Sequence, residues 1–430
     1  MKKKCNIYLL LLMIVSVSYA QPYNFEMTAA LHDSVLGIVD SAIVKDQHYI
    51  HFAKNKIEFP GAEDTFYRFY ESFDSLSQFH DRTLAVYHFG GSHIQADIYT
   101  NEIRNCMQSF TTEMDGSRGW IFPFSAAHTN NPVSFRVKYT GIWNEVRSPL
   151  NKNGDAPLGL MGISVSTIDT MASMVIHAKE EKPFGLTHLT IFYNAGIAPY
   201  AIQLNDSVQI QSVYTDTAGG FTRYDLAVPL DTLKIQFVKT DTNNINPLTI
   251  YGFLIMNERP GIIYNSIGVN GADFESYLQC DLFSDQLAQL PPDLVIISIG
   301  TNDANDTNFS PAQYRANYVH FIENIKRVNP ACTFIFTVPN DNYKNKKPQK
   351  NIAKCRDVIY ELAGIYNAGV WDFYDIMGGY GSSHKWYLDK LMKRDRIHFT
   401  NEGYIIKGDL FYEAFLKGYA SFKYAQWYNE

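Results

Sequence analysis

The chain has 430 residues, 46% of them hydrophobic and 19% charged, which is the composition of a folded globular protein. A formal net charge of -7 gives no electrostatic basis for binding nucleic acid or an anionic membrane surface. The length exceeds what one hydrophobic core usually holds, so two structural units are expected.

Lys2, Lys3 and Lys4 open the chain, an apolar run covers Ile7 to Val17, and Ser18-Tyr19-Ala20 comes next as a small-x-small cleavage pattern. Residues 1–20 therefore read as an export signal, leaving a mature chain from Gln21 in a periplasmic, cell-surface or secreted location. The apolar run is shorter than the roughly twenty residues a bilayer span requires, so no stable membrane insertion is expected after cleavage. Cys5 precedes the run, where it cannot be a lipidated cleavage-site residue. From Pro22 to Asp81 the pattern reads as mainly helical.

Two periodicities divide the chain beyond Asp81. Leu84 to Phe89, Gly261 to Ile267, Leu294 to Ile299, Thr333 to Val338 and Val370 to Phe373 are short apolar runs. Most lead through turn residues into stretches of helical length, the rhythm of βαβ units around a parallel sheet. Between Pro132 and Asn257 the residues instead alternate apolar and polar. Ser134 to Tyr139, Val208 to Gln211, Tyr224 to Val228 and Leu233 to Val238 are examples, separated by turn clusters such as Asn205-Asp206-Ser207. Short alternating strands argue for an antiparallel sandwich. The expected fold is thus an α/β domain (residues 21–131 and 258–430) interrupted by a β-sandwich over 132–257.

High aromatic content, with 29 tyrosines, fits strand packing, and sugar stacking is the alternative. Lys344 to Lys350 reads as a solvated loop. Cys106, Cys280, Cys332 and Cys355 are spaced too widely for a zinc site or a small disulfide scaffold; disulfides and buried thiols both fit. No cofactor is implied.

Four blocks carry chemistry. Phe89-Gly90-Gly91-Ser92-His93-Ile94-Gln95-Ala96-Asp97 ends the first apolar run, so Ser92 would stand at the carboxyl edge of a parallel sheet, where such sheets bind ligands. Ser266-Ile267-Gly268-Val269-Asn270-Gly271-Ala272 ends a second run, and a glycine there can offer its N–H to a reacting carbonyl; Gly271 fits best, with Gly268 in reserve. In Gly300-Thr301-Asn302-Asp303 the Asn302 amide can donate to an oxyanion. In Asp395-Arg396-Ile397-His398 the aspartate can take the histidine Nδ1 proton, leaving Nε2 to accept one from a serine. Singly, each block has an ordinary structural explanation as a turn or cap.

Together, their order and spacing resemble the SGNH (GDSL-like) hydrolases. Gly91 to Asp97, Gly119-Trp120-Ile121-Phe122-Pro123 and Ile267 to Ala272 are further similar to the bacterial peptidoglycan O-acetylesterases, in which a carbohydrate-binding-like jelly roll interrupts the SGNH domain. The resemblance implies a three-layer α/β/α domain and an exported serine esterase removing O-acetyl or other small acyl groups from a polysaccharide, most simply peptidoglycan. It implies Ser92, Asp395 and His398 as the triad, with the Ser92 N–H, the Gly271 N–H and Asn302 as oxyanion donors and no metal. Gly91 stands where the family commonly has aspartate, which removes a carboxylate beside the oxyanion region. Three rival readings fit the same residues: a catalytically weak or inactive glycan-binding protein on the same scaffold, a lipase or arylesterase, and an acyl esterase or acyltransferase acting on other glycans. His93 and Gln95 carry no assigned role, and Arg118 is placed near the cleft by position alone.

Overall fold

The structure, a computed structural model, describes residues 47–151, 154–178, 183–205 and 207–429; the expected export signal lies outside them. Of the stretch from Pro22 to Asp81 expected to be mainly helical, residues 22–46 also lie outside the described residues. The helix Asp64–Phe79 forms within the rest, whereas residues 47–63 are mostly irregular and place Glu58 in a bridge to Val370. The first apolar run becomes β1 (Thr83–Gly90), buried at every position after Thr83, as a strand inside a covered parallel sheet must be. The helices Ser92–Gln95 and Tyr99–Gln108 come after it.

An antiparallel stretch comes next. It contains β2 (Gly119–Ile121), β3 (Phe135–Thr140), β4 (Asn144–Arg147), β5 (Ile163–Thr167), β6 (Met171–Ala178) and β7 (Leu186–Tyr193). It continues with β8 (Tyr200–Leu204), β9 (Ile210–Asp216), β10 (Phe221–Leu230), β11 (Thr232–Lys239) and β12 (Leu248–Met256). The α/β rhythm then resumes with β13 (Gly261–Gly268), β14 (Leu294–Ser298), β15 (Thr333–Thr337), the hairpin strands β16 (Tyr343–Lys344) and β17 (Lys347–Pro348), and β18 (Gly369–Trp371).

The parallel sheet has the order β13-β1-β14-β15-β18, with Phe89 of β1 opposite Ile267 on one side and Ile297 on the other. The chain leaves β1, returns as β13 on one flank and passes to β14 on the other. The carboxyl end of β1 is therefore a topological switch point, where a crevice opens. Side chains alternate across the sheet. Tyr87, Phe89, Val295, Ile297 and Phe336 pack toward the helices Pro311–Val328 and Asn351–Tyr366. Val86, Ile262, Ile296 and Ile335 pack toward Asp64–Phe79, Tyr99–Gln108 and Asn401–Asn429. Two apolar faces covered by helices give the three layers expected.

In the sandwich, a seven-stranded sheet (β4-β5-β12-β7-β10-β9, with β2 also on β12) faces a four-stranded one (β3-β6-β11-β8). Its core runs without a break into one face of the parallel sheet, and Trp120 Nε1 donates to the Tyr87 hydroxyl at 3.0 Å. The antiparallel unit draws on residues ahead of Pro132, because β2 pairs with β12 through Ile121 and Phe253. β2 thus lies ahead of the expected start of the sandwich at 132. The lysine-rich segment is a hairpin rather than an open loop, with the Lys344 ammonium donating to the Asn305 carbonyl. All four described cysteines are buried free thiols. No helix among the described residues is long and apolar enough to cross a membrane.

Candidate active site

The turn after β1 is built from two glycines for steric reasons. A Cβ on Gly90 would lie 2.3 Å from Ile94 Cγ1 and 2.9 Å from the Ser298 carbonyl, so only glycine lets the short helix fold back on the strand. A Cβ on Gly91 would lie 3.0 Å from Asn302 Nδ2 and 3.3 Å from the Ala272 carbonyl. The space beside the serine that an aspartate would enter is therefore bordered closely by the Asn302 amide.

Ser92 opens the helix Ser92–Gln95, and its Oγ lies 2.7 Å from His398 Nε2. His398 Nδ1 lies 2.9 Å from Asp395 Oδ2. A carboxylate only accepts, so the ring proton sits on Nδ1 and Nε2 takes the hydrogen bond from the serine hydroxyl. The other carboxylate oxygen, Oδ1, accepts the backbone N–H groups of Ile397 at 2.9 Å and His398 at 3.0 Å. Partial burial opposes the Asp395 charge, but the His398 ring and these two N–H donors outweigh it and hold its pKa below the usual carboxylate range. Between them Arg396 adopts φ 54°, and its guanidinium lies between the Tyr343 and Tyr387 rings, 4.7 and 5.1 Å from their centroids.

The other three blocks meet the serine at the same edge. Gly271, at φ 87°, and Asn302 line one cleft of about 650 Å³ with Ser92 and His398. Asn302 Nδ2 donates to the Ala272 carbonyl at 2.8 Å, which holds the amide beside the Gly271 turn. Gly268 is not on the cleft. A Cβ there would lie 2.3 Å from the Gln95 nitrogen, so this glycine serves the packing of β13 against the helix after Ser92. Asp303 accepts the Phe274 N–H at 3.3 Å through Oδ1, while its Oδ2 is buried without a hydrogen-bond partner. Burial first, and then the nearby Asp273 charge, push its pKa up to about 8.

Residues without an assigned role in the sequence now have places. Gln95 is buried; its Oε1 accepts the Asn270 N–H at 2.7 Å, and its Nε2 reaches Thr129 Oγ1 at 2.9 Å. It therefore fixes the turn that carries Gly271. His93 packs its ring 5.3 Å from the His398 ring and pairs Nδ1 with the Tyr404 hydroxyl at 2.8 Å. Burial, and after it the neighbouring Lys407, depresses its pKa and keeps it neutral. Arg118 corrects an expectation. It is buried away from the cleft, 3.6 Å from Asp97 and hydrogen-bonded to Ser134. Asp97 also pairs with Arg104 at 2.8 Å and with Ser134 at 2.6 Å, tying the segment after the serine to the first residues of the sandwich. These long-range partners had no signal in the sequence. Among the described residues, Glu102, Cys106 and Asp409 bring potential metal-ligand atoms within 4.8 Å of one another, outside the cleft.

Residues 255–406 match the model of the GDSL-like lipase/acylhydrolase family, a span that includes Gly271, Asn302, Asp395 and His398. Among solved structures, a peptidoglycan O-acetylesterase is similar at 22% identity and a TM-score of 0.70, covering 85% of this chain and 99% of its own. A lipase/acylhydrolase from Enterococcus faecalis matches at 27% identity and a TM-score of 0.29, covering 37% of this chain and 77% of its own. No curated protein sequence matches. The likeness to GDSL-like hydrolases and the three-layer fold with its insert are thus borne out, and the family matched is one of carboxylic ester hydrolases.

Proposed function

We propose that this chain is an exported serine esterase that removes O-acetyl groups from a polysaccharide, with peptidoglycan as the substrate. The observation that carries the reading is the hydrogen-bonded series Ser92–His398–Asp395 at the switch point of the parallel sheet, opening on the cleft. In the proposed reaction His398 Nε2 takes the Ser92 proton as Oγ attacks the ester carbonyl, and Asp395 stabilises the imidazolium. The oxyanion is held by the Ser92 and Gly271 N–H groups and by the Asn302 amide, which must turn from the Ala272 carbonyl or share its donor. The sugar hydroxyl leaves with the proton from His398, and water then releases acetate by the same route in reverse.

The substrate rests on three supports of different kind: the activity of the similar esterase, the inserted sandwich, and the export signal read at residues 1–20. Gly91 in place of aspartate is compatible with a non-catalytic scaffold, but the close approach of Asn302 to that position supports a rearranged oxyanion wall over a lost one. The test is hydrolysis of a chromogenic acetate ester by wild type and Ser92→Ala. Turnover lost by at least about 10³-fold in the variant supports the reading, given what such groups typically contribute; undiminished turnover overturns it.

A further inference from the structure

We propose that two glutamine–asparagine relays, one on each wall of the cleft, aim amide N–H groups at carbonyl or carboxylate oxygens of the sugar that bears the ester. The inference rests on the esterase reading above and names the class of sugar that the same cleft selects.

On the first wall the Asn270 backbone N–H donates to the Gln95 side chain at 2.7 Å. A backbone nitrogen cannot accept, so the receiving atom is Oε1 and the other terminal atom of Gln95 is its NH2 group. That NH2 donates to Asn130 Oδ1 at 3.0 Å, and Asn270 Nδ2 donates to the same oxygen at 2.7 Å. With its oxygen held twice, Asn130 has only its NH2 left to offer the cleft it lines.

The second wall repeats the device with different residues. The Asn351 backbone N–H donates to Gln349 Oε1 at 3.2 Å, which fixes that amide too. Gln349 Nε2 then donates to Asn305 Oδ1 at 3.1 Å, and the Lys344 ammonium donates separately to the Asn305 backbone carbonyl. Asn305 also lines the cleft, with its NH2 unengaged by any described residue. In both relays a backbone donor sets the orientation, so neither asparagine can turn its oxygen outward without breaking a hydrogen bond.

An N–H donor is best matched by an oxygen that accepts without bringing a proton of its own. Acetamido carbonyls and carboxylates are such oxygens, whereas a hydroxyl must also place its proton. The exposed Lys393 on the same cleft favours an anionic substituent further. The cleft therefore selects O-acetylated sugars carrying acetamido or carboxylate groups over O-acetylated neutral sugars, because a site built for a hydrogen bond discriminates against a substrate lacking it.

The test compares kcat/KM on O-acetylated chitooligosaccharides (acetamido), O-acetylated oligogalacturonides (carboxylate) and O-acetylated xylooligosaccharides (neither). Wild type is expected to prefer one or both of the first two over the third by roughly tenfold or more, the order of one or two hydrogen bonds. Asn305→Asp keeps an acceptor for Gln349 but replaces the cleft donor by an acceptor. Gln349→Glu still accepts from Asn351 but cannot donate to Asn305. Both should reduce the preference about tenfold, chiefly through KM. Equal kcat/KM on all three glycans overturns the role of both relays, and a preference unchanged in both variants overturns that of the Gln349–Asn305 relay. A chromogenic acetate ester run in parallel separates the two levels: no turnover there overturns the esterase reading and this inference with it.

Discussion

Asp303, half-buried with its Oδ2 shielded from solvent, shows how one carboxyl can couple stability to pH beside the proposed oxyanion donor. Its pKa lies at about 8 against an ordinary 3.8, because burial and Asp273 both disfavour its charge. The folded chain therefore keeps a proton that the unfolded chain has released between these two values. By linkage, stability falls as pH rises through that window and levels off above it. Asp303→Asn keeps an acceptor for the Phe274 N–H and removes the ionisable group. Its expected effect is a gain of about 1–3 kcal/mol at pH 8 and no gain at pH 4, read by urea denaturation at the two values. A gain equal at both would show that the carboxyl does not titrate as described. The sequence placed Asp303 in the Gly-x-Asn-Asp block but could not give its burial, which depends on Phe274 and the helix Pro311–Val328 packed over it.

At the scale of elements, the helices after β1 depend on a buried charge cluster. Asp97, Arg104 and Arg118 have side chains at most 4% exposed, and Asp97 Oδ1 meets Arg104 at 2.8 Å. Burial works against Asp97, but the two guanidinium groups and Ser134 outweigh it and bring its pKa down to about 2. The folded value lies below the unfolded one, so its contribution is complete above about pH 4 and is lost as pH falls toward 2. Arg104→Leu leaves the aspartate buried with weakened compensation and should cost about 3–5 kcal/mol in denaturant unfolding at neutral pH. A loss below about 1 kcal/mol, the level of an exposed pair, would contradict the account. The parallel strands were legible because a strand covered on both faces reads as an unbroken apolar run: β1, β13, β14, β15 and β18 each fall on one. The cluster was not legible, because Asp97 and Ser134 are brought together only by the path of the chain between them. The same holds for β2, a three-residue strand too short to show a period.

For the whole molecule, the site arises from topology. Ser92, Gly271 and Asn302 each come after a strand of one parallel sheet, and the switch point at β1 sets those three strand ends side by side. The sequence blocks could be aligned with that edge in advance because chemistry-bearing residues lay directly after apolar runs at the expected places. The loop from 122 to 131 could not be placed there. It delivers Asn130 to the cleft only because β2 carries the chain onto β12 before the sandwich proper. Ser92 is proposed as a nucleophile activated by His398 and Asp395. The most direct measurement of that activation is intact-protein and peptide mass spectrometry after exposure to a serine-directed organophosphonate. One adduct is expected, on Ser92, absent in Ser92→Ala and strongly slowed in His398→Ala. No adduct on the wild type, or equal labelling of Ser92→Ala, would contradict it.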